Sequence, residues 1–360
     1  MSKIPVSVCI IAKNEEKYIE QCLRHLIKYG VEIIVADTGS TDQTKEIAAK
    51  YTKNVYDFEW IDDFSAARNF AASKASNNWI LAIDCDEYIK DIDISKLRIM
   101  MQKYNKLIGT IELRNVFTDE DNTLKYQTDK VLRFYNKNFY HFKYRIHEQI
   151  VPKDEKDLDT LVLNTFILPM TVEHHGYNIS KEDMLKKQER NLYFLNKAIG
   201  ENPYNDDYLY FQIGQSYEAI DDKDKAISAY KKCYELNTND TKDFIALGIE
   251  KYFELLYEKE DFVTLVNHSV KFRKYINTSK LNYFFATALE KCGAVMDALL
   301  LYTQIILKSD FDMLGDKAYE VYSKIILLCK MTDNNDKVEM FKKKMQEYAK
   351  EHGKILTYNE

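Results

Sequence analysis

Short β-branched runs alternate with helical stretches over the first hundred residues, and two of the runs end in aspartate. This pattern constrains the fold more than any other feature of the chain. Val6–Ala12 (VSVCIIA) is apolar on both alternating faces, as expected of a strand buried on both sides. Asn14 reads as a helix cap, with Glu15 and Glu16 in the first helical turn, where acidic groups suit the helix dipole. Glu32–Ala36 (EIIVA) is a second strand that ends at Asp37; the loop TGSTD follows, and a helix starts near Thr41 or Asp42. Val55–Phe58 is a third strand and Ser65–Lys74 a helix. Trp79–Ile83 (WILAI) is a fourth strand and runs into Asp84-Cys85-Asp86-Glu87. Strands alternating with helices imply a parallel sheet wound in βαβ units. Ligands of such sheets bind beyond the carboxyl ends of the strands, which is where Asp37 and Asp84–Asp86 fall.

The pattern then changes twice. Gly109–Val116 and Asp129–Tyr135 alternate polar and apolar residues, with Asp119, Asp121 and Asn122 between them, so they read as antiparallel strands closing one side of the sheet. Residues 153–163 are charged and loop-like, and Thr165–His175 returns a last strand. From about Ser180 the chain is helical. Tyr210, Ile213, Gly214, Tyr217, Ala226 and Tyr230 follow the tetratricopeptide order, and a second, weaker match runs through Phe285, Ala286, Leu289, Ala298 and Tyr302. These patterns divide the 360 residues into an α/β domain over 1–178 and an all-α repeat domain over 179–360.

Composition excludes several functions. A net charge of −6 without a basic stripe argues against nucleic-acid binding. The apolar runs fall short of a membrane span and no secretory signal precedes the first strand. Six scattered cysteines without a C-x-x-C pair read as thiols of a reducing cytoplasm. The many tyrosines of the repeat half make a homodimer plausible.

Two residue groups point to chemistry. On an extended segment Asp84 and Asp86 point to one side, where hard carboxylate oxygens suit Mg²⁺ or Mn²⁺ bridging substrate phosphates. The alternative is an ordinary solvated acidic loop. Asp37 either accepts hydrogen bonds from a ribose or base edge, or caps the following loop.

Residues 6–87, with SVCIIAKNEE, EIIVADTGSTDQT and DDFSAARNFAASKASNNWILAIDCDE in that order, resemble the family 2 GT-A glycosyltransferases. The resemblance implies a GT-A (Rossmann-like) nucleotide-sugar domain and a metal-dependent, inverting transfer. It places Ala12 and Glu15 where the first loop wraps the nucleotide, Asp37 on the uracil or ribose, and Asp84-Cys85-Asp86 as the D-x-D motif. Arg68 lies near the nucleotide or braces those carboxylates; a plain structural ion pair is the other reading.

RFYNKNFYHFKYRIHEQI, VEHHGYNIS, KKQERNLYFLNKAI and the repeats are similar to a narrower bacterial branch, the sublancin-type peptide S-glycosyltransferases. By this resemblance Glu148 is the base, His147 orients it or binds the acceptor, and His174 joins Asp86 and Asp84 at a Mn²⁺ or Mg²⁺ ion, with His175 the competing histidine. The implied reaction moves sugar from a UDP-sugar, UDP-glucose or UDP-GlcNAc, to a Cys or Ser/Thr side chain of a peptide or protein. A cell-surface glycan or lipid-linked acceptor is the alternative. A non-catalytic repeat scaffold is the alternative of another class, and a nucleotidyltransferase lacks its glycine-rich phosphate loop here.

Overall fold

The computed structural model describes residues 4–118, 123–154, 164–176, 181–201, 206–237, 242–269, 271–275 and 277–353. The turn expected at Asp119–Asn122, most of the loop at 153–163 and the boundary at 177–180 lie outside the described residues. The chain forms two compact units, Met1–Tyr204 and Asn205–Glu360. That division falls later than 178/179, because the helix Lys181–Ala198 packs into the first unit. Its Phe194 meets Trp60 and Phe64 edge-on, with ring centroids 5.9 and 5.6 Å apart, and its Lys197 pairs with Asp62.

The first unit carries an eight-stranded mixed sheet. In chain order its first four strands are β1 (Val6–Ala12), β2 (Glu32–Asp37), β3 (Val55–Asp57) and β4 (Trp79–Ala82). They pair in parallel as β3-β2-β1-β4. Beyond β4 lie β7 (Leu124–Asn136), β6 (Ile108–Thr118), β10 (Thr165–His174) and β5 (Glu87–Ile92), in that spatial order. β7 is antiparallel to both β4 and β6, while β10 is parallel to β6. The carboxyl end of β10 therefore points to the same sheet edge as those of β1, β2 and β4. A small second sheet pairs β8 (Tyr140–Lys143) with β9 (Gln149–Pro152).

Both faces of β1 are buried: Val6, Val8 and Ile10 enter one apolar cluster and Cys9 the other. At roughly 1.5–3 kcal/mol per buried aliphatic side chain, such a run is stable only at the centre of a sheet. Helices α1 (Ile19–Leu26), α2 (Thr44–Ala49), α3 (Phe64–Ser73) and α4 (Ile94–Lys103) complete the layers around the sheet, and α5 is the Lys181–Ala198 helix. Asp63 caps α3 by accepting from the Ala66 N–H at 2.9 Å.

Asn14 is not a helix cap. Its φ is +57°, α1 starts only at Ile19, and its Oδ1 accepts from the Thr41 N–H at 2.8 Å. The residue therefore ties the loop after β1 to the loop after β2. Asn is one of the few residues that enters the left-handed region cheaply, which explains the choice.

The second unit contains four helix pairs among the described residues. They are α6 (Asp206–Ala219) with α7 (Lys223–Leu236), α8 (Asp243–Glu258) with α9 (Phe262–Ser269), α10 (Ser279–Lys291) with α11 (Val295–Ile305), and α12 (Asp316–Met331) with α13 (Asn335–Glu351). A small residue lets the first pair close. A β-carbon on Gly214 would lie 2.6 Å from the buried ring of Tyr230. Half-buried polar triads built on buried tyrosines recur as well. Tyr230 donates to Glu218 and Tyr302 to Glu290, each twelve residues apart, while Lys251 and Lys324 from the next first-position helix pair with the same carboxylates. No helix among the described residues is long and apolar enough to cross a membrane.

Candidate active site

The sheet edge collects side chains from β1, β2, β4 and β10. At the end of β2, Asp37 is 4% exposed. Its Oδ1 accepts from the Gly39 and Ser40 N–H groups, both at 3.0 Å. Its Oδ2 is buried without a partner. A buried carboxylate oxygen left open is costly unless a ligand donor meets it. Ala12, beside it across β1 and β2, offers its carbonyl to the Thr38 hydroxyl and N–H, so this loop is braced from below.

Asp84-Cys85-Asp86 is not extended. β4 stops at Ala82, and the Glu87 N–H donates to the Asp84 carbonyl at 3.1 Å, closing a turn. The two-residue alternation expected of a strand therefore fails, and the two carboxylates separate. Asp84 turns inward, where Oδ1 accepts from Arg68 Nη2 at 2.8 Å and Oδ2 from Arg133 Nη2 at 2.9 Å. Burial opposes its charge, but Arg68 and Arg133 outweigh it and hold the carboxyl well below the usual range. With both oxygens engaged, Asp84 is a brace rather than an open ligand. Cys85, expected beside the donor, turns into the core; its thiol is 2% exposed, faces the Ile11 carbonyl, and is pushed well up by burial. Only its backbone is left to face a ligand.

Asp86 faces the other way, toward His174 at the end of β10, with Oδ2 and Nε2 3.1 Å apart. His175 does not compete for this place. It stacks on Tyr88 at 4.7 Å and turns Nε2 toward Glu173. Gly176 lies directly against the pair: a β-carbon there would sit 2.0 Å from Asp86 Oδ2 and 2.8 Å from His174 Nε2.

Whether a divalent ion suits this place can be tested on the donor set. His174 Nδ1 lies 3.0 Å from Asn115 Oδ1, so Nδ1 carries a hydrogen; burial opposes charge on the ring, but the Asp86 carboxylate beside Nε2 outweighs it and raises the imidazole pKa above its ordinary value. Two acceptors 3.1 Å apart need a proton or a cation between them. Among the described residues no three His, Cys, Asp or Glu side chains converge as a metal shell. A two-residue oxygen and nitrogen site fits an ion that takes its remaining ligands from substrate phosphates and water.

Arg68, 7% exposed, sits at the centre. Besides Asp84 it reaches Glu148, with Nε donating to Oε1 at 2.6 Å. Burial works against the guanidinium charge, yet Asp84 and Glu148 raise its pKa above the ordinary value. Its Nη1 is buried without a partner. His147, with φ +52°, is held below its ordinary pKa by burial.

Glu15 completes the acidic side. Burial and then the Asp86 and Asp84 carboxylates push it up to about 7, and Arg190 of α5 pulls the other way. A carboxyl whose pKa rises on folding loses stability as pH climbs from its unfolded to its folded value. The window here runs from 4.5 to about 7. The shift corresponds to about 3 kcal/mol in full, and solvent screening reduces this to about 1–2 kcal/mol. In EDTA, wild type should therefore lose that much relative to Glu15→Gln between pH 5 and pH 8 in denaturant titrations. Parallel pH curves for the two proteins would refute the assignment.

Three participants carried no clear sequence signal. Arg133 pairs with Asp84 and with Glu87, which is 2% exposed. Arg190 and Asn115 reach the site only through packing of α5 and β6. The inward-facing arginine in an alternating strand was the one available hint, for Arg133.

A mixed, Rossmann-like sheet with acidic loops at the carboxyl ends of its parallel strands is the architecture of a GT-A domain. Residues 7–152 match the family described as glycosyl transferase family 2, and this stretch of the chain is a domain of that family. The SPbeta prophage-derived glycosyltransferase SunS of Bacillus subtilis is 29% identical over 279 residues. That match covers 73% of this chain and 62% of SunS, so the chain spans less than two thirds of that relative. A TPR repeat-containing protein of Synechococcus elongatus is 37% identical over 106 residues, which is 29% of this chain and 26% of that protein. The lipopolysaccharide core biosynthesis glycosyltransferase LpsC of Rhizobium meliloti is 25% identical over 160 residues, covering 43% of this chain and 58% of LpsC.

Proposed function

We propose that the chain transfers a sugar from a UDP-sugar to a peptide or protein side chain with inversion at the anomeric carbon. The observation that carries this reading is the convergence, at one sheet edge, of an open buried acceptor, a facing carboxylate–imidazole pair and a glutamate held by a buried arginine. Asp37 Oδ2 is placed to accept from an N–H of the base or a hydroxyl of the ribose. A Mn²⁺ or Mg²⁺ ion held by Asp86 and His174 would neutralise the diphosphate as it leaves. Arg68 Nη1 offers a further donor from below.

Arg68 occupies Glu148 Oε1 and leaves Oε2 for the acceptor. The acceptor sulfur or oxygen attacks the anomeric carbon opposite the diphosphate, the bond from that carbon to the phosphate oxygen breaks, and the acceptor proton passes to Glu148 Oε2. His147, neutral at pH 7 by its lowered pKa, is suited to hydrogen-bonding the acceptor rather than repelling Arg68. Resemblance to peptide S-glycosyltransferases and the helical repeats, a common surface for polypeptides, both favour a peptide acceptor.

The test combines binding and turnover. Wild type is screened by thermal shift against UDP-glucose, UDP-GlcNAc and other nucleotide-sugars, each with Mn²⁺ or EDTA, and the stabilising donor is then offered cysteine and serine peptides. Glu148→Gln should keep donor binding within about threefold while serine transfer falls about 10²–10⁴-fold. Cysteine transfer should fall less, because a thiol with a pKa near 8.5 needs less help. Full serine transfer by Glu148→Gln would remove the base assignment. No stabilisation of wild type by any donor would remove the enzyme reading.

A further inference from the structure

β7 runs well past the strand beside it. β4 pairs only with Phe134–Asn136 of β7, through Trp79, Ile80 and Leu81, and then leaves the sheet at the Asp84–Asp86 turn. β6 accompanies the other side of β7 from Phe134 back to Leu124. The shift in register between Gly109 and Thr110 leaves Arg133 bulged, and the bulge aims its guanidinium at Asp84 and Glu87. N-terminal to that bulge, no strand among the described residues pairs with β7 from the β4 side. Tyr126, Gln127, Thr128 and Lys130 are exposed there, Tyr126 to 53%.

We propose, resting on the peptide-acceptor reading above, that Tyr126–Lys130 is an open strand edge along which the acceptor peptide adds as a further strand. A strand edge presents N–H and C=O groups in a fixed alternation that an extended polypeptide matches and a glycan or lipid head group does not. The edge also leads to the chemistry. It ends at Arg133, whose Nη2 holds the Asp84 carboxylate, and Arg68 joins that carboxylate to Glu148. A chain laid along β7 toward Arg133 therefore arrives at the proposed base, with the reacting residue just beyond the paired segment. A second copy of this chain is a poor occupant. Antiparallel pairing of two copies along this edge would set Lys125 of each opposite Lys130 of the other, and like charges directly opposite destabilise a strand pair. The same lysines favour an acceptor with acidic residues in its flanks.

The probe is a synthetic peptide in which threonine and valine alternate around one central cysteine, with glutamate at each end, offered to the full chain with the donor that stabilises it. It is made unmodified and in two N-methylated forms, one for each alternating set of main-chain amides, with the cysteine and its neighbours left unmodified. An added strand turns only one set toward β7. One methylated form should therefore raise the peptide KM at least about tenfold while the other stays within about threefold, and kcat should hold for both. Of the adjacent residues Gln127 and Thr128, one directs its N–H to β6 and the other to the open edge. Proline is tolerated only at the second kind of position, so one of Gln127→Pro and Thr128→Pro should melt within a few degrees of wild type. That variant should raise the peptide KM about tenfold with donor binding unchanged. Equal effects of the two methylations, an unchanged KM in the stable proline variant, or strong destabilisation by both prolines would each overturn the inference. Donor stabilisation of wild type without transfer to this probe would also overturn it and leave the transferase reading standing. No stabilisation by any donor would overturn that reading and the inference with it.

Discussion

Gly176→Ala should weaken metal-dependent donor binding about 100-fold while leaving the protein folded. The added methyl would lie 2.0 Å from Asp86 Oδ2 and 2.8 Å from His174 Nε2, closer than side-chain carbons approach any heavy atom. Asp86 cannot withdraw easily, since its carbonyl accepts from the His175 N–H at 2.9 Å and so joins the two segments. His174 is equally held, by Asn115 behind it. The carboxylate must rotate out of the shared space, and the loss in metal-dependent donor affinity should reach about 100-fold. Gly176 has no left-handed backbone to maintain, so the melting temperature without metal should stay within a few degrees of wild type. Thermal shift with the stabilising UDP-sugar, with and without Mn²⁺, reads both quantities. A wild-type metal response in Gly176→Ala would mean that the ion does not occupy the space between Asp86 and His174.

The second large effect belongs to Arg68→Met. The guanidinium is shared by Asp84 and Glu148, and it is itself buried. Removing one partner from a buried ion pair strands the remaining charge, at about 3–5 kcal/mol. Arg133 still reaches Asp84 Oδ2, which places the loss toward the lower end. Arg68→Lys should rescue little, because one ammonium cannot reproduce a fork that meets Glu148 through Nε and Asp84 through Nη2. Denaturant titration should show the loss directly, and adding Asp84→Asn to Arg68→Met should recover part of it. A loss below about 1 kcal/mol would mean that water or a neighbouring cation replaces Arg68 without difficulty.

Much of the fold is legible in the sequence. The first four strands, the helix over 65–74, the antiparallel pair after residue 108, the strand ending at His174 and the repeat half all follow from local periodicity, which depends on near neighbours; the short strands Glu87–Ile92, Tyr140–Lys143 and Gln149–Pro152 do not. The sheet-edge position of Asp37 and Asp84–Asp86 followed from the same alternation. The helix Lys181–Ala198 was legible as a helix, but its place was not. Its heptad-like pattern is the same whether it packs on a sheet or on another helix, and only Trp60 and Phe64 settle which.

The division of labour within the site shows the same boundary. From sequence, Asp84, Cys85 and Asp86 form one motif. In the structure a turn sends Asp84 to two arginines, Cys85 into the core and Asp86 to His174. Which carboxylates Arg133 meets depends on the register of β7 against β4 and β6, and the choice of His174 over His175 beside Asp86 depends on the register of β10 against β5 and β6. A shift of one residue would reverse every side chain on a strand. The sequence by itself determined the family of the first domain, its strand ends and the repeat architecture, because those are written in spacings along the chain. The tertiary structure decided which charges are braced, which carboxylate faces the imidazole and which amide lies behind it, because those pairings join residues that are distant in sequence and come together only through packing and strand register.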